Sequence, residues 1–241
     1  MPHTLFISDL HLSEGEPHIT QLFLKFLRET APQAEALYIL GDLFEYWAGD
    51  DDCDTPYHRE ILDAMRTAAS NGTRLFIMHG NRDFLMDQDM AKACNATLLP
   101  DPYLLNLYGT PTVLTHGDIL CTDDVQYQAF RKQVRDATWR SNFLAQPLEQ
   151  RKAIIEQLRK LSEENKQGKA MEIMDVNAEA VANMFRMHDC PRMIHGHTHR
   201  QKLHHLTVDG KESERWVLGD WHATGNAIRC DATGCGYLSL S

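Results

Sequence analysis

Two rhythms of apolar and polar positions alternate along this chain: short apolar runs rich in β-formers, and longer stretches with a one-sided apolar stripe. Thr4 to Ile7 predicts a strand. Pro17 then opens a helix whose apolar residues Ile19, Leu22, Phe23, Phe26 and Leu27 recur at helical spacing and form one stripe to be buried. Ala36 to Leu40 predicts the next strand and Pro56 to Ser70 the next helix. Arg74 to Met78 and Thr112 to Thr115 continue the strand series, and Leu203 to Val208, Trp216 to Leu218 and Ala227 to Cys230 predict later strands. Between Cys121 and Pro191 helical patterns take over, from Val125 to Val134 and from Glu149 to Glu164, until strand signals resume at Met193 and Ile194. This order predicts an α/β fold carrying a helical insertion.

A length of 241 residues without repeats or low-complexity linkers fits one α/β domain. No run approaches the roughly 18 apolar residues of a spanning helix, so any membrane association is expected to be peripheral. The N-terminus lacks the basic region of an export signal. Cys53, Cys94, Cys121, Cys190, Cys230 and Cys235 form no CxxC pair and no disulfide-dense scaffold, which predicts reduced thiols in a cytoplasmic protein. A net charge of -10 argues against a general nucleic-acid binder. The insertion differs locally. From Arg131 to Lys169 ten basic residues face five acidic ones, an excess of +5 that suits a solvated helix face, an acidic substrate or an anionic membrane surface.

The candidate chemistry follows the apolar runs. Ile7-Ser8 leads into Asp9-Leu10-His11, Ile39-Leu40 into Gly41-Asp42, and Ile77-Met78 into His79-Gly80-Asn81-Arg82-Asp83. Val113-Leu114-Thr115 leads into His116-Gly117-Asp118, and Met193-Ile194 into His195-Gly196-His197-Thr198-His199. Oxygen and imidazole ligands thus recur at strand ends, where α/β folds gather their sites. Asp83, Asp118 and Asp220 are placed to orient ligating imidazoles.

In this order, DxH, GD, GN, a later His and GHxH resemble the signature of the calcineurin-like metallophosphoesterases over residues 9–199. The resemblance implies a four-layer αββα sandwich in a single domain over 1–241, with a helical lid insertion at about 123–190. It implies two divalent metal ions, Mn²⁺ foremost. Asp9, His11, Asp42 and His199 would hold one, and Asp42, Asn81, His116 and His197 the other, with Asp42 bridging. Carboxylate, amide and imidazole ligation without thiolate suits Mn²⁺, Fe²⁺ or Zn²⁺. Asn81, Arg82 and His116 would serve catalysis.

One departure narrows the chemistry. The superfamily commonly has His after the Asn, and here Arg82 follows Asn81. Arginine is a poor proton donor but binds phosphate bidentately. A leaving phosphate has a second pKa of about 6 and departs ionised. The replacement therefore points to pyrophosphate cleavage rather than alkyl ester hydrolysis. The tracts Leu37 to Glu45, His79 to Leu85, Cys121 to Asp124, Met174 to Asn177, Ile194 to Arg200 and Leu218 to Trp221 resemble, more narrowly, the sugar-nucleotide pyrophosphohydrolases of lipid A synthesis.

That narrower resemblance implies UDP-2,3-diacylglucosamine as substrate, contacted by Asn81, Arg82, Asp124, Ser162, Lys166, Lys169 and His197. It further implies a place on the cytoplasmic face of the inner membrane, held peripherally by its anionic surface. Phe130, Trp139, Phe143, Leu144, Ile154, Ile155, Leu158 and Leu161 would give the lid an apolar chamber for acyl chains. No obligate protein partner is evident. The rival readings are a metallophosphoesterase of other specificity, such as a nucleotide phosphodiesterase, and a non-catalytic scaffold of the same fold; the complete ligand set argues against the latter.

Overall fold

The computed structural model describes residues 1–166 and 175–241, with side chains described outside 161–174. In the first sheet β1 (Thr4–Ile7), β2 (Ala36–Leu40), β3 (Arg74–Met78) and β4 (Ala96–Leu99) run parallel, and β10 (Gly225–Asp231) and β11 (Gly234–Leu240) join antiparallel beside β1. The second sheet has the order β5 (Tyr103–Leu107), β6 (Thr110–Thr115), β7 (Arg192–His195), β9 (Lys211–Val217), β8 (Lys202–Val208).

Strands buried on both faces alternate between two cores. Phe6, Tyr38 and Leu40 turn toward the second sheet and pack with Leu114, Ile194, Trp216 and Leu218. Their neighbours Leu5, Ile7, Leu37 and Ile39 turn the other way, onto Phe23, Phe26 and Leu27 of α1 (Pro17–Glu29) and Ile61 and Met65 of α2 (Pro56–Ser70). Phe6, Tyr38 and Phe76 are register partners on three adjacent strands and stack, with ring centroids 5.2 and 4.6 Å apart. Outside the second sheet, Val181, Met184 and Phe185 of α7 (Ala178–His188) cover Val113 and Met193. Helices therefore lie outside both sheets, giving the four-layer αββα sandwich.

Several elements escape the periodicity argument. β4, β5, β11 and α3 (Gln88–Ala93) are not foreseen, because their burial is partial and their apolar runs are short or broken. β9 begins at Lys211, five residues before the predicted start at Trp216, since its first half is polar. The reading of six reduced thiols is corrected at one pair. Cys230 and Cys235 stand opposite one another in the β10–β11 register and form a disulfide, with Cα atoms 4.1 Å apart. A hairpin partner five residues away carries no CxxC signal.

The segment 123–190 carries α4 (Val125–Val134), α5 (Ala137–Leu144), α6 (Leu148–Lys166) and α7. Asp124, Asp136 and Asn177 cap α4, α5 and α7 through their side chains. Much of the basic excess turns inward. Arg131 and Arg135 meet Asp118, Arg140 meets Asp87, Arg151 meets Asp51, Lys152 meets Asp52 and Arg159 meets Glu45. Arg151 is only 1% exposed and also donates to the Ala48 and Gln146 carbonyls. The local charge thus fastens helices α4–α6 to an acidic body. Trp139 stacks on Phe143 at 4.9 Å and approaches Phe84 at 6.3 Å, so the insertion's apolar side meets the loop after β3.

Candidate metal centre

The loops after β1 and β2 are laced together. Asp9 N–H donates to Gly41 O, Leu10 and His11 N–H to Asp42 O, and Leu12 bridges Phe44. This fixes Asp9 and His11 beside Asp42. Asp9, His11, Asp42, His197 and His199 all adopt left-handed backbone, with φ of 55, 51, 52, 67 and 58°. Such conformations are uncommon for residues other than glycine, and they cluster where surrounding structure over-determines a functional geometry. Two glycines permit the close approaches. A Cβ on Gly80 would lie 2.0 Å from Asp42 Oδ1, and one on Gly196 would lie 2.2 Å from Asp9 Oδ2.

Seven side chains converge. Asp9, His11 and His199 offer ligand atoms within 4.8 Å of one another, as do Asp9, Asp42 and His116. Asp42 Oδ2 stands 3.9 Å from His11 Nε2 and 3.9 Å from His116 Nε2, between the two groups. Asn81 Oδ1 lies 3.0 Å from His116 Nε2 and 2.9 Å from His197 Nδ1. Asp9, His11, Asp42 and Asn81 follow strands of the first sheet, while His116, His197 and His199 follow strands of the second.

The electrostatics fit cations. Burial alone would raise the Asp9 carboxyl, but the His199, His116 and His11 imidazoles hold it below the carboxylate range. Burial likewise opposes charge on His116 and His199, yet their acidic neighbours raise them to about 9 and about 10. Burial, followed by the neighbouring His116, lowers His197 to about 4. Asp9 Oδ1 and His11 Nε2 are buried without hydrogen-bond partners. Buried polar atoms left unpaired are costly, and a divalent cation would satisfy them. The donor set therefore fits divalent metal ions, and no cysteine belongs to either group of candidate ligands among the described residues.

Three of the four imidazoles are aimed by a partner on Nδ1. Leu40 O lies 2.9 Å from His116 Nδ1, Glu45 Oε2 lies 3.0 Å from His11 Nδ1, and Asp220 Oδ2 lies 3.0 Å from His199 Nδ1. Accepting oxygens there leave Nε2 free to ligate. Ser8 Oγ donates to Asp9 Oδ2 at 2.5 Å and His197 N–H to the same oxygen at 2.9 Å, leaving Oδ1 turned inward.

Of the three acids expected to orient imidazoles, Asp220 does so. Asp83 and Asp118 are corrected. Asp83 accepts from Leu43 and Gly80 N–H, tying the loops after β2 and β3, and Asp118 accepts from Tyr127 Oη and Arg131 Nε. Backbone amides and lid cations reach those carboxylates first. Glu45, Ser8 and Tyr127, whose ring lies 6.0 Å from that of His197, were not assigned roles from sequence. Glu45 stood inside a recognised tract, three residues after Asp42.

Arg82 lies beside the ligands. Its N–H donates to Asp42 Oδ1 at 2.8 Å and its guanidinium is 3.5 Å from Glu45 Oε1, which also receives Arg159 at 2.6 Å. His11, Arg82 and Arg159 together outweigh burial and hold the Glu45 carboxyl at about 2. Asp124 accepts from Tyr127 N–H at the start of α4. Ser162, Lys166 and Lys169 fall outside the described side chains.

A family model for calcineurin-like phosphoesterases matches residues 2–201. UDP-2,3-diacylglucosamine hydrolases are similar over nearly the whole chain. That of Aromatoleum aromaticum is 52% identical over 95% of this chain and 94% of its own. That of Edwardsiella ictaluri is 50% identical over 98% and 92%. Among solved structures an archaeal phosphodiesterase is 10% identical with a TM-score of 0.49, covering 99% of each chain. The chain belongs to the calcineurin-like phosphoesterases and, within them, to the family of the UDP-2,3-diacylglucosamine hydrolases.

Proposed function

We propose that this protein is an Mn²⁺-dependent hydrolase that cleaves the pyrophosphate of UDP-2,3-diacylglucosamine to UMP and 2,3-diacylglucosamine 1-phosphate. The carrying observation is Arg82, whose backbone N–H meets the candidate ligand Asp42 and whose guanidinium lies 3.5 Å from Glu45, at the position where relatives in the wider superfamily place a histidine. When bound, divalent cations lower the pKa of water and neutralise charge on a transferring phosphoryl group. Asp9, His11, Asp42, Asn81, His116, His197 and His199 would hold them.

The remaining work belongs to the chain. Arg82 grips the diphosphate and stabilises the departing sugar phosphate, which needs no proton. Asn81, between His116 and His197, keeps the amide oxygen on the metal side. Helices α4–α6 act as the lid, with the half-buried Phe84 and Trp139 receiving acyl chains, while Phe143 beneath Trp139 is packed into the core. Asp124, Ser162, Lys166 and Lys169 complete the substrate contacts in this reading. The enzyme works on the cytoplasmic face of the inner membrane, bound peripherally to its anionic surface; none of the described helices is long and apolar enough to span a bilayer.

Hydrolysis in ¹⁸O-labelled water, with UDP-2,3-diacylglucosamine and its deacylated analogue compared under Mn²⁺, tests the reading. Label entering UMP and a preference for the acylated substrate are expected. Label in the sugar phosphate would reject attack at the α-phosphorus, and equal rates would reject the acyl chamber. Faster cleavage of alkyl phosphate diesters would favour a phosphodiesterase.

A further inference from the structure

Among the described residues, Arg215 is a buried cation without a carboxylate in hydrogen-bond contact. It sits on β9, 8% exposed, and its Nη1 lies 3.0 Å from Nε2 of His195, which is fully buried at the end of β7. A guanidinium only donates, so His195 Nε2 accepts. The neutral imidazole must then carry its proton on Nδ1, which lies 2.8 Å from Gly196 O and donates to it. Thr198 N–H reaches the same oxygen at 2.8 Å.

That carbonyl belongs to the peptide unit whose N–H is that of His197. The unit is planar, so fixing the direction of Gly196 O fixes the direction of His197 N–H. His197 N–H donates to Asp9 Oδ2, the oxygen that also accepts from Ser8. Asp9 Oδ1 is thereby left facing His199 Nε2 at 3.4 Å, without a hydrogen bond of its own. Gly196 has no room to relax, since a Cβ there would strike both Asp9 and Ser8.

We propose that Arg215 is a positioning residue of the metal centre: by donating to His195 Nε2 it sets the tautomer that clamps the 196–197 peptide and chooses which oxygen of Asp9 is offered to metal. The inference rests on the metal-centre reading above. It explains why an arginine is buried against a neutral ring, an arrangement that costs desolvation without a charge partner in hydrogen-bond contact. A purely structural Arg215 would fasten β9 to β7 and leave the ligand geometry alone.

The test uses metal-stripped full-length protein, with Mn²⁺ affinity by calorimetry, the visible spectrum of the Co²⁺-loaded form, and melting of the metal-free form. Arg215→Met should weaken Mn²⁺ binding about tenfold or more, in the range seen when partners of metal ligands are lost, and shift the Co²⁺ bands. Arg215→Lys, which keeps one donor, should fall between. In a His195→Asn background the amide replaces Nδ1–H and nothing remains at Nε2, so Arg215→Met should have no further effect on affinity. Wild-type affinity and spectrum in Arg215→Met, even with a lowered melting temperature, would overturn the proposal, as would an equal loss in the His195→Asn background. If Arg215→Met does not fold, Arg215→Lys in both backgrounds gives the same comparison. Wild-type protein that takes up no divalent metal would instead overturn the metal-centre reading itself.

Discussion

Arg159 of α6 and Glu45 of the loop after β2 meet at 2.6 Å, on a carboxylate whose other oxygen faces His11 Nδ1 at 3.0 Å. One acidic group thus serves both the helical insertion and a metal-facing imidazole. Arg159→Met is expected to raise KM for the acylated substrate while metal content stays at the wild-type level. Glu45→Ala is expected to weaken metal binding about 10- to 100-fold, because His11 loses its orienting partner. Elemental analysis of both variants distinguishes them, and equal metal loss would contradict separate roles.

Gly80→Ala should abolish metal binding rather than merely soften the fold. The added methyl would lie 2.3 Å from Asp42 N as well as against its carboxylate, and backbone cannot step aside cheaply. A folded variant binding metal with wild-type affinity would show that the loops after β2 and β3 move apart without cost.

Arg82→His should exchange one chemistry for another. Pyrophosphate hydrolysis is expected to fall about 10- to 100-fold, in keeping with loss of a charged phosphate ligand worth ~1.5–3 kcal/mol. Hydrolysis of alkyl phosphate diesters should rise, since a proton donor then stands at the leaving group. Parallel steady-state assays decide it, and a loss of both activities would remove the leaving-group argument.

His58 supplies a pH prediction away from the metal centre. It is packed against Phe44, Trp47 and Tyr57 and donates to Asp52 O at 2.8 Å, with the Asp52 carboxylate, Lys152 and Glu14 as charged neighbours. Burial lowers its pKa below 6.5 despite Asp52. The unfolded chain therefore binds the proton more readily, so this contribution to stability is full above pH ~6.5 and declines as pH falls below it. His58→Gln should flatten the decline in melting temperature between about pH 7 and 5. An unchanged slope would place the sensitivity elsewhere.

The candidate ligand positions are legible in sequence because each follows an apolar strand: Asp9, His11, Asp42, Asn81, His116, His197 and His199 lie together at the strand ends. Their supports are not. Whether Asp118 meets an imidazole or Arg131 depends on where α4 lies, which periodicity does not reveal. The same blindness hid the destination of the basic excess, because sequence gives the sign of a charge but not its neighbour. Arg215 looked like an ordinary residue of a polar half-strand, and the Cys230–Cys235 pair became visible only with the hairpin register.

The division of the ligands between two sheets has a mechanical meaning. Four of the candidate ligands come from one layer and three from the other, so a cation held among them would work as a clasp at the open end of the sandwich. Chelation should then do more than silence chemistry. It should loosen the seam where the strand ends meet, and amides there, such as Gly196 N–H on His116 O, should exchange with solvent before those of the aromatic ladder Phe6, Tyr38 and Phe76.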